Sequence, residues 1–192
     1  MCIRDRVDAA GKLSKNKRGA LIVVDLGSDL RPEDFLYSGT NIEAQLSTDL
    51  LINLFATDTP LHDGAVLVKG NKIISAGVIL PLSRQGISRY GTRHLAALGI
   101  TERFDRCICI VVSEETGTLS LANQGKLERP ITSSRLQELL VNLIGNQNPM
   151  GTSKSSSGKN TLSQKTNSND KIVNDMNEKG PEKSEIFFNN RD

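Results

Sequence analysis

Cys107-Ile108-Cys109-Ile110-Val111-Val112 is the most apolar run in the chain. It has no polar alternation, so it reads as a central strand covered on both faces. Ala20-Leu21-Ile22-Val23-Val24 is a second buried strand. Ala65-Val66-Leu67-Val68 and Ile73 to Leu80 flank Gly70-Asn71, the signal of a hairpin with a two-residue turn. Thr118 to Ala122 alternates like a strand, and Gln124-Gly125 turns it toward Lys126-Leu127-Glu128. Between these runs lie helical patterns. Asp49 to Phe55 reads as a helix capped by Ser47. Thr92 is expected to cap a helix through Leu95-Ala96-Ala97-Leu98. Leu136, Leu139, Leu140, Leu143 and Ile144 recur at one helical face, with Ser134 and Gln137 as a capping box. Hairpins mixed with helices predict an α+β fold (α/β in the wide sense): a mixed central β-sheet flanked by helices, not a doubly wound parallel sheet.

Composition divides the chain. From Gly151 to Asp192 there are 42 residues, of which 20 are Ser, Asn or Lys, too few of them apolar to offset the entropy of folding. The expected organisation is residues 1–6 outside the domain, one domain over 7–148, and a disordered tail over 149–192. Lys and Arg number 24 against 22 Asp and Glu, a net charge of +2, which excludes the basic footprint of a nucleic-acid-binding protein. No apolar run reaches the roughly eighteen residues of a membrane span. No secretory h-region follows Met1, so the chain as given is expected in the cytoplasm. Cys107 and Cys109 are expected on opposite faces of their strand, as core filler and not as a metal pair.

Three short segments can carry chemistry. His62-Asp63-Gly64-Ala65 precedes a buried strand, which puts His62 and Asp63 at the mouth of the sheet and lets a ligand approach at Gly64. An Asx-turn explains Asp63-Gly64 equally well. Gly91-Thr92-Arg93-His94 opens a helix, whose free N–H groups, with an Arg fork, suit phosphate. A capped helix with solvent-facing Arg and His is the alternative. Ser113-Glu114-Glu115-Thr116-Gly117 follows the central strand and offers carboxylates for a divalent cation, or an ordinary hairpin turn. No phosphate-binding P-loop is present.

Together, Thr59 to Ala65, Gly91 to His94 and Ser113 to Gly117 occur in the order of three signature blocks. They resemble the diadenylate cyclase domain, whose hallmark motifs are Asp-Gly-Ala and Arg-His-Arg. Leu61-His62-Asp63-Gly64-Ala65 is more similar to the membrane-tethered bacterial form than to the DNA-scanning one. The resemblance runs from about Ala10 to Gly145 and implies condensation of two ATP into cyclic di-AMP with release of two pyrophosphates. It implies Asp63, Arg93 and His94 as catalytic residues, with Asp63 assisting deprotonation of the ribose 3′-hydroxyl. By the same resemblance, His62, Asp63 and Glu115 would hold a divalent metal (Mn, Mg or Co). Thr92, Arg93 and His94 would grip phosphates, Ser113 would take the terminal phosphate, and Gly64, Ala65 and Leu80 would frame ribose and adenine. The resemblance further implies that two domains meet face to face, as a catalytic homodimer or as a transient pair. A membrane-anchored regulator and tethering to the cytoplasmic face of the membrane are implied for the full-length protein. The chain departs from the pattern twice. Leu95 replaces the second Arg of the hallmark, which costs about 1.5–3 kcal/mol per charged hydrogen bond if that Arg reaches ligand, and nothing if it packs. The transmembrane helices of the tethered form have no counterpart, and the resemblance implies that the chain begins in the linker helix, Val7 to Lys17, as in an N-terminally truncated chain. The alternative reading is a catalytically weakened nucleotide-binding or regulatory module of the same fold.

Overall fold

In the computed structural model, which describes residues 3–85 and 90–145, the apolar runs assemble into a seven-stranded sheet. The strands in chain order are β1 (Ala20–Asp25), β2 (Thr40–Gln45), β3 (Ala65–Lys69), β4 (Lys72–Val78), β5 (Cys107–Val112), β6 (Leu119–Asn123) and β7 (Lys126–Ile131). The helices are α1 (Ile3–Lys15), α2 (Thr48–Leu54), α3 (Thr92–Arg103) and α4 (Ser133–Gly145). Residues 149–192 lie outside the described residues, as do 86–89 of the loop before α3.

The strand order is β2-β4-β3-β1-β5-β6-β7. β1 runs parallel to β3 and antiparallel to β5, and the other neighbours are antiparallel. The sheet is mixed, as the α+β reading required. A parallel neighbour needs a crossover, and the chain from Leu26 to Gly64, which contains β2 and α2, supplies it.

Alternate residues of β1 feed two cores. Ile22 and Val24 pack with Ile108, Ile110 and Val112 beneath α1, α2 and α4, whose contributions include Leu13, Leu51, Leu136 and Leu140. Leu21 and Val23 pack with Val111, Cys107 and Cys109 beneath Ala96, Ala97 and Ile100 of α3. All six residues of β1 and all six of β5 are therefore buried. Truncating a buried side chain such as Ile110 to Ala would cost about 2–5 kcal/mol. The two cysteines share the α3 side of the sheet, contrary to the expectation of opposite faces, because residues two apart on a strand point the same way. Both remain buried filler, and burial pushes the Cys109 thiol well above its ordinary range.

Several termini differ from the sequence reading. Ser47 does cap α2, accepting from the Leu50 N–H at 3.2 Å. The N-cap of α3 is Gly91, not Thr92, and no side chain caps it. α4 starts at Ser133, with the Thr132 hydroxyl accepting from the Arg135 N–H at 3.1 Å, and the expected Ser134–Gln137 box does not form. α1 begins at Ile3, four residues earlier than expected. Its Arg6 is fully buried and donates to the Gly70 carbonyl in the β3–β4 turn. β2 was not anticipated. It is an edge strand with a bulge at Glu43 (φ +48°) and little burial, so it lacks an apolar signature.

Candidate active site

The registers Ala20↔Val112 and Ala65↔Val78 bring the starts of β1 and β3 to the same sheet edge as the ends of β4 and β5. The three motif segments sit at that edge. A 3-10 turn, Pro60–His62, leads into Asp63, whose carboxylate is exposed. Gly64 adopts φ +140°, and a Cβ there would lie 2.6 Å from the backbone carbon of Gly77. A glycine is therefore required for Asp63 to be carried this close to β4.

Two adjoining clefts open there. The larger, about 470 Å³, is lined by His62, Asp63 and Gly64 on one side and by Thr92 and Arg93 on the other. Leu21, Val78, Leu80 and Ala96 form its apolar floor, and Glu114 also borders it. This volume falls in the range of small-molecule sites. The smaller, about 190 Å³, is lined by Gly91 to His94, Ser113 to Thr116, Val112 and Arg129. Thr92, Arg93 and Glu114 border both.

The local chemistry is distinct at each motif. The Thr59 carbonyl can only accept, so His62 bonds it through Nδ1–H and leaves the Nε2 lone pair available. Arg93 donates to Glu114 at 2.6 Å. His94 is 6% exposed, and its Nε2 is 3.2 Å from the buried Ser120 hydroxyl. Burial, and secondarily the nearby Arg129 guanidinium, hold its pKa below the ordinary 6.5. At neutral pH it is thus an uncharged hydrogen-bonding group. Its ring stacks with Tyr90 at a centroid distance of 6.3 Å. The Ser113 hydroxyl faces the Thr116 N–H at 3.4 Å in the turn after β5.

Asp63, Gly64, Leu80, Thr92 and Arg93 are brought to one cleft; His94 and Ser113 border the other; Ala65 is buried at the start of β3. The expected metal ligands do not form one set. His62 and Asp63 line the larger cleft while Glu115 lines the smaller, and among the described residues no group of three or more His, Cys, Asp or Glu is gathered for a metal ion. Leu95 borders neither cleft. It is 7% exposed, and its carbonyl accepts from the Ser83 N–H at 2.9 Å, so this position packs under the segment after β4.

Glu114, expected as a carboxylate for a cation, holds Arg93. Three further contributors went unread in the sequence: Gly19 leaves room for the Arg93–Glu114 pair, Ser120 partners His94, and Arg129 reaches in from β7. Ser120 alone had a signal, as a polar residue between Leu119 and Leu121 on a strand with both faces covered. The others depend on contacts between distant segments.

An exposed carboxylate, a helix start with its Arg and an apolar floor, converging at one sheet edge, make an α+β nucleotide-site architecture. The family model described as DisA bacterial checkpoint controller nucleotide-binding, the DAC domain, matches residues 7–127, and the chain belongs to this family. It is similar to the diadenylate cyclase of Listeria monocytogenes serotype 1/2a (strain 10403S), 47% identical over 131 residues, covering 67% of this chain and 47% of the relative. It is also similar to the cyclic di-AMP synthase CdaA of Bacillus subtilis (strain 168), 42% identical over 134 residues, covering 69% and 48%. The chain therefore spans about half the length of these curated relatives. Among solved structures, a double mutant of DacA from Staphylococcus aureus superposes with a TM-score of 0.67 at 38% identity, covering 74% of this chain and 94% of that one. A hypothetical membrane spanning protein from Bacillus cereus gives a TM-score of 0.59 at 44% identity, covering 65% and 60%. No helix among the described residues is long and apolar enough to cross a membrane.

Proposed function

We propose that this chain is a diadenylate cyclase, which condenses two ATP into cyclic di-AMP and releases two pyrophosphates. The observation that carries the reading is the convergence of Asp63, Thr92 and Arg93 on one cleft with an apolar floor. The names of the Listeria and Bacillus relatives support it.

In this reading the floor of Leu21, Val78, Leu80 and Ala96 receives the adenosine, with the backbone at Gly64, Ala65 and Leu80 framing base and ribose. The phosphates lie toward the start of α3, where uncapped N–H groups, the Thr92 hydroxyl and the Arg93 fork favour anions. Ser113 takes the terminal phosphate. Asp63 accepts the proton of the 3′-hydroxyl as that oxygen attacks the α-phosphorus of an ATP on a second copy. The bond to pyrophosphate breaks, and the same step in the opposite sense closes the ring. The two half-reactions are equivalent, so two identical domains facing each other across a two-fold axis form the working unit. Buried and neutral, His94 holds the helix start through Ser120 and does not contribute charge.

His62 Nε2 and the Asp63 carboxylate are neighbouring nitrogen and oxygen donors, which suit a divalent cation such as Mn, Mg or Co. Glu115 would join them only across the two clefts. Such a cation, when bound, supplies Lewis-acid stabilisation of phosphate charge. Tethering of the full-length protein to the membrane's cytoplasmic face, beside a membrane-anchored regulator, belongs to the same proposal.

The packed position of Leu95 favours the enzyme over a weakened nucleotide-binding module. Incubation with ATP and Mn²⁺, followed by chromatography, should yield cyclic di-AMP. ATP binding without product would support the binding module instead.

A further inference from the structure

Arg129 lies on β7, outside all three motif segments. Leu127, two residues earlier on the strand, packs against the core beneath α3, and Arg129 lines the small cleft together with His94 on that side. Its guanidinium sits 5.7 Å from the centre of the Tyr90 ring. Tyr90 in turn stacks on His94, whose Nε2 reaches Ser120 on the adjoining strand β6. The guanidinium is thus held by a stack of rings anchored in the sheet, a geometry that leaves its N–H edge free to donate.

The neighbouring arginines are engaged differently. Arg93 is paired with Glu114, and Arg135 with Glu128 and Glu138. Among the described residues no carboxylate pairs with Arg129, although Glu114 and Glu115 border the same small cleft. That cleft also takes in Gly91 and Thr92 at the uncapped start of α3, and Ser113. It therefore holds a positioned but unneutralised guanidinium facing hydroxyl and backbone donors, in a space too small for a nucleoside and adequate for phosphate groups.

We propose that Arg129 is a specificity-determining residue that binds the β- and γ-phosphates of the nucleotide and retains them as the pyrophosphate leaving group. This deepens the cyclase reading and rests on it. AMP, which lacks those phosphates, does not engage Arg129. ATP and inorganic pyrophosphate do. The ring stack sets the direction of the guanidinium, so lysine retains its charge without its placement.

The test is calorimetric binding of ATP, AMP and inorganic pyrophosphate to the wild-type chain, Arg129→Gln and Arg129→Lys, each with its melting temperature recorded. Arg129→Gln should weaken ATP and pyrophosphate about tenfold or more while AMP affinity stays within about twofold, as expected for loss of a charged hydrogen bond. Arg129→Lys should fall between Gln and wild type. Equal weakening of ATP and AMP would mean that Arg129 only supports the fold, and unchanged ATP affinity would make it a bystander; either result overturns the proposal. Cyclic di-AMP formation by the wild-type chain is scored separately. Its absence would remove the cyclase reading, whereas the ATP-to-AMP affinity ratio reports on Arg129 itself.

Discussion

The Arg93 guanidinium meets the Glu114 carboxylate at 2.6 Å directly beside Gly19, where a Cβ would fall 2.8 Å from the Arg93 Cζ and from a Glu114 oxygen. A residue immediately before β1 thereby sets the position of an arginine on α3 and a carboxylate after β5. With Glu114 61% exposed, the pair adds little to stability. Its consequence is orientation, since it holds the Arg93 fork at the border of both clefts.

Gly19→Ala should therefore separate function from folding. The clashing atoms are the far ends of flexible side chains, so the stability change should stay below about 1 kcal/mol. The displaced Arg93 should raise the KM for ATP about tenfold, in line with a lost charged hydrogen bond. Thermal melting and steady-state kinetics on the same preparation check both halves, and a KM that does not move would detach this pair from substrate binding.

Asp63→Asn keeps the shape and removes the proton acceptor. Cyclic di-AMP formation should drop by about 10²-fold or more, the scale of general-base catalysis, while ATP affinity changes within about threefold. Product chromatography and calorimetry report the two quantities. A variant that cyclises at the wild-type rate would take Asp63 out of the mechanism.

His94 should make stability depend on pH. Its folded pKa lies below the ordinary 6.5, chiefly through burial, so between the two values the unfolded chain binds more protons than the folded one. Its contribution is complete above about pH 6.5 and is lost as pH falls through 6.5 toward the folded value. Melting temperatures of wild type and His94→Gln across pH 5–8 should differ most at the neutral end and converge in acid. Parallel curves would mean that the imidazole does not titrate differently on folding.

Specific activity should rise with protein concentration. If each ATP sits on its own domain, product forms only when two domains meet, and an interface crowded with phosphates and carboxylates is weak. Rates measured over a roughly hundred-fold dilution series should approach second order in protein at the dilute end. Flat specific activity would indicate a tight dimer, or chemistry within one domain, and light scattering at the same concentrations distinguishes them.

The sequence by itself determined the strands buried on both faces. Ala20 to Val24 and Cys107 to Val112 carry no polar residue that solvent could claim, so each had to lie inside a covered sheet. It also determined the motif segments, because Asp63-Gly64 and Gly91-Thr92-Arg93 are local patterns whose chemistry depends on neighbours in the chain. Tertiary structure alone decided the parallel pairing of β1 with β3, the edge strand β2 and the placing of α1, α2 and α4 on one face and α3 on the other. Those features follow from which apolar faces meet, and strand periodicity leaves that open. The same holds for Gly19 against Arg93 and Glu114, and for Arg129 over Tyr90. Each joins segments dozens of residues apart, and their spacing becomes defined only when the sheet registers align.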